Sequence, residues 1–483
     1  MAARGLDTVV AGGKVVTSTD VLDAAVGIRG GRIVAVAPVE DLPPAARTID
    51  ASGKLVFPGA IDCHVHLGPE YDDWRGGPLA AAHAGLTTLL GFVMAEEGAH
   101  EPLPKAVHRL REETSAMSVL DFGFHFILGN QPWILEGIPE AIGLGVSTFK
   151  LFMTYKKRKT RMCSDEMIAG AMELIAAHGG MCQLHCENGD IIAWLEDRAL
   201  ASGCVHPRDF PATCPDWTEE EAINRAILIG RMTKCPVYVV HLSTRLGLER
   251  IKQAQALGQT VYTETCPQYL LLTEDEMERW GPLAKIGPPL RPANGPDREA
   301  LWGGLAQGAI AAVASDHSPR AKALKEPGWK NIFQDDKGNV IPFGSPGMET
   351  LIPLVYSEGV AARGFPLTWM ARVLGENPAR KFGLYPRKGV IRPGADADLL
   401  IWDPQGEGQI RVADHRSIAG WTLYEGRKTH GRPWMTLLRG EVLLENGKLN
   451  KQPGFGEYLP RTGPLPPLST AAGPTTALTI TAR

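Results

Sequence analysis

This 483-residue sequence has no apolar run approaching the roughly 18–20 residues that span a bilayer, so no membrane-crossing helix is expected. Met1 to Asp7 has no long apolar core behind its charge, so no secretory signal is expected either. Charge of one sign is also missing. A net charge of -4 gives no electrostatic reason to expect nucleic acid or an anionic membrane as partner. The eight cysteines (63, 163, 182, 186, 204, 214, 235 and 266) include no CxxC pair, and in a chain of this length they read as reduced thiols of a cytoplasmic protein. What remains is an ordinary apolar fraction, 44%, and enough length for a large domain with an accessory one.

Glycine-punctuated strands occupy both ends of the chain. Thr8-Val9-Val10, Lys14-Val15-Val16 and residues 32–36 lie near the start, and residues 398–402, 436–438 and 440–447 near the end. Their similar length and spacing predict one small β-sandwich domain built from residues 1–55 and 388–450. Between them, residues 56–387 alternate short apolar strands with helical stretches such as 166–178, 219–233 and 246–257. Repeated βα units of this extent predict an α/β fold, a (β/α)8 TIM-like barrel. Chain order alone does not separate a closed barrel from an open doubly wound sheet; the placement of the chemical residues does. Residues 451–483, rich in Pro, Thr, Ala and Gly, read as an extended C-terminal tail, an arm that could lie over a neighbouring subunit.

Those chemical residues cluster at strand ends. Asp62-Cys63-His64-Val65-His66 closes the apolar run 55–61, and alternation puts Asp62, His64 and His66 on one face and Cys63 on the other. Two imidazoles on one side of a strand end can chelate a metal ion, although HxH alone is common. Gln183-Leu184-His185, Val239-Val240-His241 and Ala314-Ser315-Asp316-His317 end three further strands. In a barrel such ends share one mouth, and packing alone does not explain the set. His125, inside an apolar strand, reads as a hydrogen-bonded core histidine, and His317 as a group orienting its neighbours. Lys150 stands among apolar neighbours in Thr148-Phe149-Lys150-Leu151-Phe152. Read alone it is a snorkelling ammonium. Beside the other motifs it is a desolvated amine able to take up carbon dioxide, giving a carbamate that bridges two metals.

The ordered motifs His64-x-His66, Phe149-Lys150-x-Phe152-Met153-x-Tyr155, His185-x-Glu187-Asn188-Gly189-Asp190, Val240-His241-x-Ser243, Thr265-Cys266-Pro267-Gln268-Tyr269, Pro288-Pro289-Leu290-Arg291, Ser315-Asp316-His317 and Asn377-Pro378-Ala379 resemble those of hydantoinases and dihydropyrimidinases in the amidohydrolase superfamily. The likeness runs to about Arg461. It implies hydrolytic ring opening of a cyclic amide, a 5-substituted hydantoin or dihydropyrimidine, by a hydroxide bridging two metal ions. It implies that His64, His66, Lys150 (as N6-carboxylysine) and Asp316 bind the more buried ion, and that Lys150, His185 and His241 bind the other. Asp316 would carry the proton to the leaving nitrogen and Tyr155 would donate to the oxyanion. Two divalent ions, zinc with manganese or cobalt as substitutes, and a homotetramer or homodimer complete the expectation.

Departures from the family pattern fall near the substrate. Gly287 stands where Ser is usual and Phe343 where Asn is usual, at positions that in relatives contact the ring amide largely through the backbone. The loop 156–161, Lys-Lys-Arg-Lys-Thr-Arg, is basic where apolar residues are usual. It reads either as a solvated turn or, with Arg320, Lys322 and Lys325, as a selector for an anionic substituent. The same chemistry on another cyclic amide or imide, allantoinase-like hydrolysis, and a non-catalytic scaffold resembling the collapsin response mediator proteins are the alternatives. The scaffold is disfavoured because all six ligand positions are filled.

Overall fold

The structure, a computed structural model, describes residues 5–95, 100–158 and 160–461. Eight parallel strands follow one another in chain order around a barrel: Ala60–His66, Leu86–Met94, Asp121–Ile127, Thr148–Phe152, Met181–His185, Val237–Val239, Val261–Thr265 and Ala312–Val313. The ring closes where His66 N donates to His317 O at 2.7 Å, beside a parallel bridge between Val65 and His317. A TIM-like barrel, not an open sheet, is therefore the architecture.

Local chemistry explains the elements that flank these strands. Ser164 starts the helix Asp165–Ala177 by accepting from Met167 N, and acidic Asp165 and Glu166 sit in its first turn, where the helix dipole favours them. Its buried residues Met167, Ile168, Ala171, Met172 and Ile175 recur at helical spacing and face the barrel. Thr244 caps Arg245–Ala256 in the same manner, and Asn188 caps Gly189–Ser202. On the strand Thr148–Phe152, Phe149 and Leu151 pack outward into the layer between strands and helices, while Phe152 joins the interior cluster with Phe92 and Ile127.

Strands from both chain ends form two further sheets. A four-stranded sheet holds Leu6–Ala11, Ala25–Arg29, Arg32–Ala37 and Ala45–Asp50. A seven-stranded sheet joins Lys14–Val16, Val21–Asp23 and Leu55–Pro58 to Leu399–Gln409, Lys428–Leu438, Glu441–Glu445 and Lys448–Leu449. Val10, Val26 and Ile28 of the first pack on Val15, Val56, Leu399 and Leu437 of the second, as in a sandwich. The apolar run 55–61 is divided at Gly59, so Leu55–Pro58 pairs with Leu399–Trp402 in the seven-stranded sheet and the barrel begins at Ala60.

An ionic clamp fastens the two bodies. Lys388, fully buried, places Nζ 2.5 Å from Asp121, 2.6 Å from Asp398 and 2.9 Å from Asp396. Arg439 also bonds Asp121. The three carboxylates lie close enough to suggest a metal site, but the ammonium already fills their centre.

The described start of the expected tail, up to Arg461, packs on its own barrel. Leu459 N donates to Phe122 O at 2.7 Å, Phe122 N donates to Glu457 O at 2.9 Å, and Arg461 is buried under the barrel against Phe124 O and Thr148 Oγ1. Gly456 is required there, because any Cβ would run into the Leu120 carbonyl. The unpaired backbone at the strand's beginning supplies the bonding partners that draw the segment onto its own barrel. Residues 462–483 of the expected tail lie outside the described residues.

Candidate active site

Five strand ends deliver the ligand-type side chains to one mouth. His64 Nε2 lies 3.1 Å and His66 Nε2 3.6 Å from Asp316 Oδ1. The His185 and His241 ring centres are 4.3 Å apart, and His64 and His241 5.4 Å. Lys150 is buried, its Nζ 4.5 Å from the centre of the Phe92 ring and 5.2 Å from that of Phe152. All six expected ligand residues thus converge, and Tyr155, Gly287 and Phe343 line the same cavity of about 940 Å³ as five of them. Tyr155, His241 and Asp316 all adopt positive φ (69°, 41° and 49°), a region costly for non-glycine residues and characteristic of sites where geometry is imposed.

Supporting acids, which sequence reasoning missed, hold the imidazoles. Glu264 bonds His64 Nδ1 and accepts from Tyr238 OH at 2.9 Å. Glu187 lies 2.6 Å from His185 Nε2, and Asp72 2.9 Å from His317 Nε2. For His64 and His185 the pairing fixes one ring nitrogen and leaves the other for a ligand, whereas His317 Nδ1 accepts from Gly347 N and Met348 N. The only sequence signal for Glu264 is an acid inside the β-branched and aromatic strand Val261–Thr265.

Cys63 departs from the face that regular strand alternation predicts. The register between the first two barrel strands shifts between Asp62 and Val65, and this bulge breaks simple alternation. The Cys63 thiol consequently reaches Glu264 Oε2 at 3.3 Å, on the same carboxylate as His64. His125 contacts Thr148 Oγ1 at 2.5 Å and Cys63 O at 3.1 Å inside the barrel.

The electrostatics favour the neutral, metal-binding form at three of the four imidazoles, while Asp316 and Glu264 raise His64 against burial and Lys150. Burial, then the neighbouring His64 and Lys150, hold His66 well below the usual histidine range, and burial lowers His185 and His241 too. Burial pushes the Lys150 ammonium down to about 8 against the pull of Asp316 and Glu264, so a neutral amine is accessible near physiological pH. Burial raises the Tyr155 phenol, keeping it a proton donor. His241 Nδ1 is buried without a hydrogen-bond partner, which is costly unless a ligand such as a cation takes it. A donor set of four imidazoles, one carboxylate and one desolvated amine fits divalent metal ions.

At the substrate side, a Cβ on Gly287 would sit 2.6 Å from the Tyr155 hydroxyl and 3.3 Å from the Phe343 ring, so Gly287 leaves the room the tyrosine occupies. The Tyr155 ring lies 5.1 Å from His185 and 5.2 Å from Phe343. Of the second basic cluster, Arg320 lines the cavity. Lys322 is exposed near Glu326, and Lys325 is buried, its amine donating to the carbonyls of Leu283, Lys285 and Gly344 and so fixing loops. Lys159 lies outside the described residues.

The sequence profile of the amidohydrolase family matches residues 55–429. A D-hydantoinase of Rhizobium radiobacter is 33% identical over 94% of this chain and 99% of its own, and an L-hydantoinase of Paenarthrobacter aurescens is 33% identical over 94% and 98%. The solved structure of dihydropyrimidinase from Brevibacillus agri superposes with a TM-score of 0.89 at 32% identity, covering 95% of this chain and 100% of that one. On this similarity, which spans nearly the whole chain and both of its layers, the protein belongs to the amidohydrolase family, among the hydantoinases and dihydropyrimidinases.

Proposed function

We propose that this protein opens a ring amide of a 5-substituted hydantoin or dihydropyrimidine, with His64, His66, Lys150 and Asp316 holding one divalent ion and Lys150, His185 and His241 a second. The observation that carries this reading is the buried Lys150 amine among four imidazoles and Asp316, beside a cavity large enough for a substituted ring. Bound divalent ions, zinc in this proposal with manganese or cobalt as substitutes, supply a water-derived nucleophile at neutral pH and Lewis acidity at the carbonyl.

The chain's own groups do the rest. Lys150, carboxylated on its neutral amine, supplies two oxygens and converts a buried cation into an anion suited to the site. Asp316 Oδ1, next to His64 and His66, accepts the proton of the attacking water and returns it to the leaving ring nitrogen. Tyr155 donates its phenolic hydrogen to the charge developing on the carbonyl oxygen. Gly287 and Phe343 flank that hydroxyl and hold the ring amide through their backbone groups. Phe152 and Phe92 exclude water around Lys150.

A hydrolysis panel on metal-loaded protein tests the reading: hydantoin, phenylhydantoin, dihydrouracil, allantoin, dihydroorotate and simple cyclic imides. Turnover of a hydantoin or dihydropyrimidine is expected. Exclusive turnover of allantoin or an imide would move the substrate to those alternatives, and absence of both metal and turnover would favour the scaffold. Asp316→Asn should cut kcat by about 10²–10⁴-fold without unfolding the protein. A homotetramer or homodimer in the cytoplasm completes the proposal. All eight cysteines are free, and among the described residues no helix is long and apolar enough to cross a membrane. Light scattering gives the assembly directly.

A further inference from the structure

The basic loop sorts its charges. Lys156 points outward to Asp190 at 2.6 Å, and Lys157 to Asp197 at 2.7 Å and Glu196 at 3.2 Å. Arg158 and Arg161 turn inward and line the cavity. Arg158 lies over the Tyr155 and Phe343 rings, 4.9 and 5.2 Å from their centres. Arg161 lies over Phe152 at 5.4 Å and reaches Met94 Sδ at 4.0 Å. Among the described residues neither guanidinium has an ion-pair partner. The acid nearest in sense, Glu70, is taken by Arg320 at 2.7 Å, and Arg320 in turn stacks on Tyr71.

Two guanidinium groups drawn against aromatic walls, with no carboxylate in ion-pair contact among the described residues, give up hydration that an anion restores well. A guanidinium presents a planar fork matched to a carboxylate, and its stacking on Tyr155 and Phe343 fixes that fork. Tyr155 carries the hydroxyl aimed at the scissile carbonyl, so a group extending from the ring on that side meets Arg158 first. The cavity has far more room than an unsubstituted ring requires. We propose that Arg158 and Arg161 form a subsite for an anionic substituent, so that the preferred substrate is a cyclic amide bearing a carboxylate-ended side chain. This inference rests on the ring-amide reading for the reaction, but not for the binding of the anion.

The test compares hydantoins whose C5 substituent ends in a carboxylate with the matching carboxamides, by calorimetric binding and by hydrolysis on metal-loaded protein. The carboxylate should bind, and be turned over, roughly 10- to 100-fold better, the range of one charge-assisted contact. Arg158→Gln and Arg161→Gln should each remove most of that preference, read as the carboxylate-to-carboxamide ratio so that any general loss cancels, and Arg158→Lys should retain part of it. Equal treatment of the two compounds by the unaltered protein, or variants that weaken both alike, would overturn the subsite and leave ring hydrolysis standing. Arginine-dependent binding of the carboxylate with no turnover of either compound would support the subsite and overturn the hydrolase reading. Absence of both binding and turnover would overturn both.

Discussion

At the scale of single residues, small changes of shape and charge near the mouth carry distinct consequences. Restoring a side chain by Gly287→Ser puts a Cβ 2.6 Å from the Tyr155 hydroxyl, which Phe343, His185 and Arg158 hem in. The phenol must shift, and loss of one oxyanion donor costs about 10²–10³-fold in kcat; steady-state kinetics should show a loss approaching that range with a smaller change in KM. Lys285 is buried on Ile332 O and Ile341 O with no acid partner among the described residues, and burial pushes its ammonium down to about 7 from an ordinary 10.5. Across that window the unfolded chain keeps a proton that the folded one has released, so stability rises with pH, by roughly 1–3 kcal/mol for a group of this kind. Denaturant melts between pH 6.5 and 9 should show the rise, and Lys285→Met should flatten its slope even though the lost contacts lower stability throughout. The ligand residues themselves are legible in sequence because each ends an apolar strand. Their supporting acids are not: Glu264 serves His64 from 200 positions away, a relation that exists only once the strands close into a ring.

At the scale of elements, the bulge in Ala60–His66 and the clamp on Asp121–Ile127 matter most. Alternation along an ideal strand placed Cys63 away from His64, and the register shift between Asp62 and Val65 brings both onto Glu264. Bulges leave little trace in sequence, since one residue out of phase resembles noise in the pattern. Lys388 joins a barrel strand to the seven-stranded sheet through Asp121, Asp396 and Asp398. Removing its ammonium strands three buried carboxylates, so Lys388→Met should destabilise the protein by about 3–5 kcal/mol in chemical denaturation. The helices are the most legible elements: stretches expected at 166–178, 219–233 and 246–257 are Asp165–Ala177, Asp216–Thr233 and Arg245–Ala256, because caps and apolar spacing coincide there.

At the scale of the molecule, the barrel is legible because βα units repeat and their chemical residues all fall at strand ends of one polarity. The partition at Gly59 and the docking of residues 452–461 under the barrel are not, since both depend on which backbone edges remain free after the sheets have formed. The basic loop 156–161 reads as one block in sequence, whereas among its described residues Lys156 and Lys157 pair with acids outside and Arg158 and Arg161 turn inward. The central claim is that Lys150 unites two divalent ions as a carbamate. A crystal structure of zinc-loaded protein, with anomalous data collected at the zinc edge, tests it most directly. The account predicts one peak among His64, His66 and Asp316, another between His185 and His241, and carbamate density on Lys150 joining them. A bare Lys150 amine with no metal peak beside it would contradict the account.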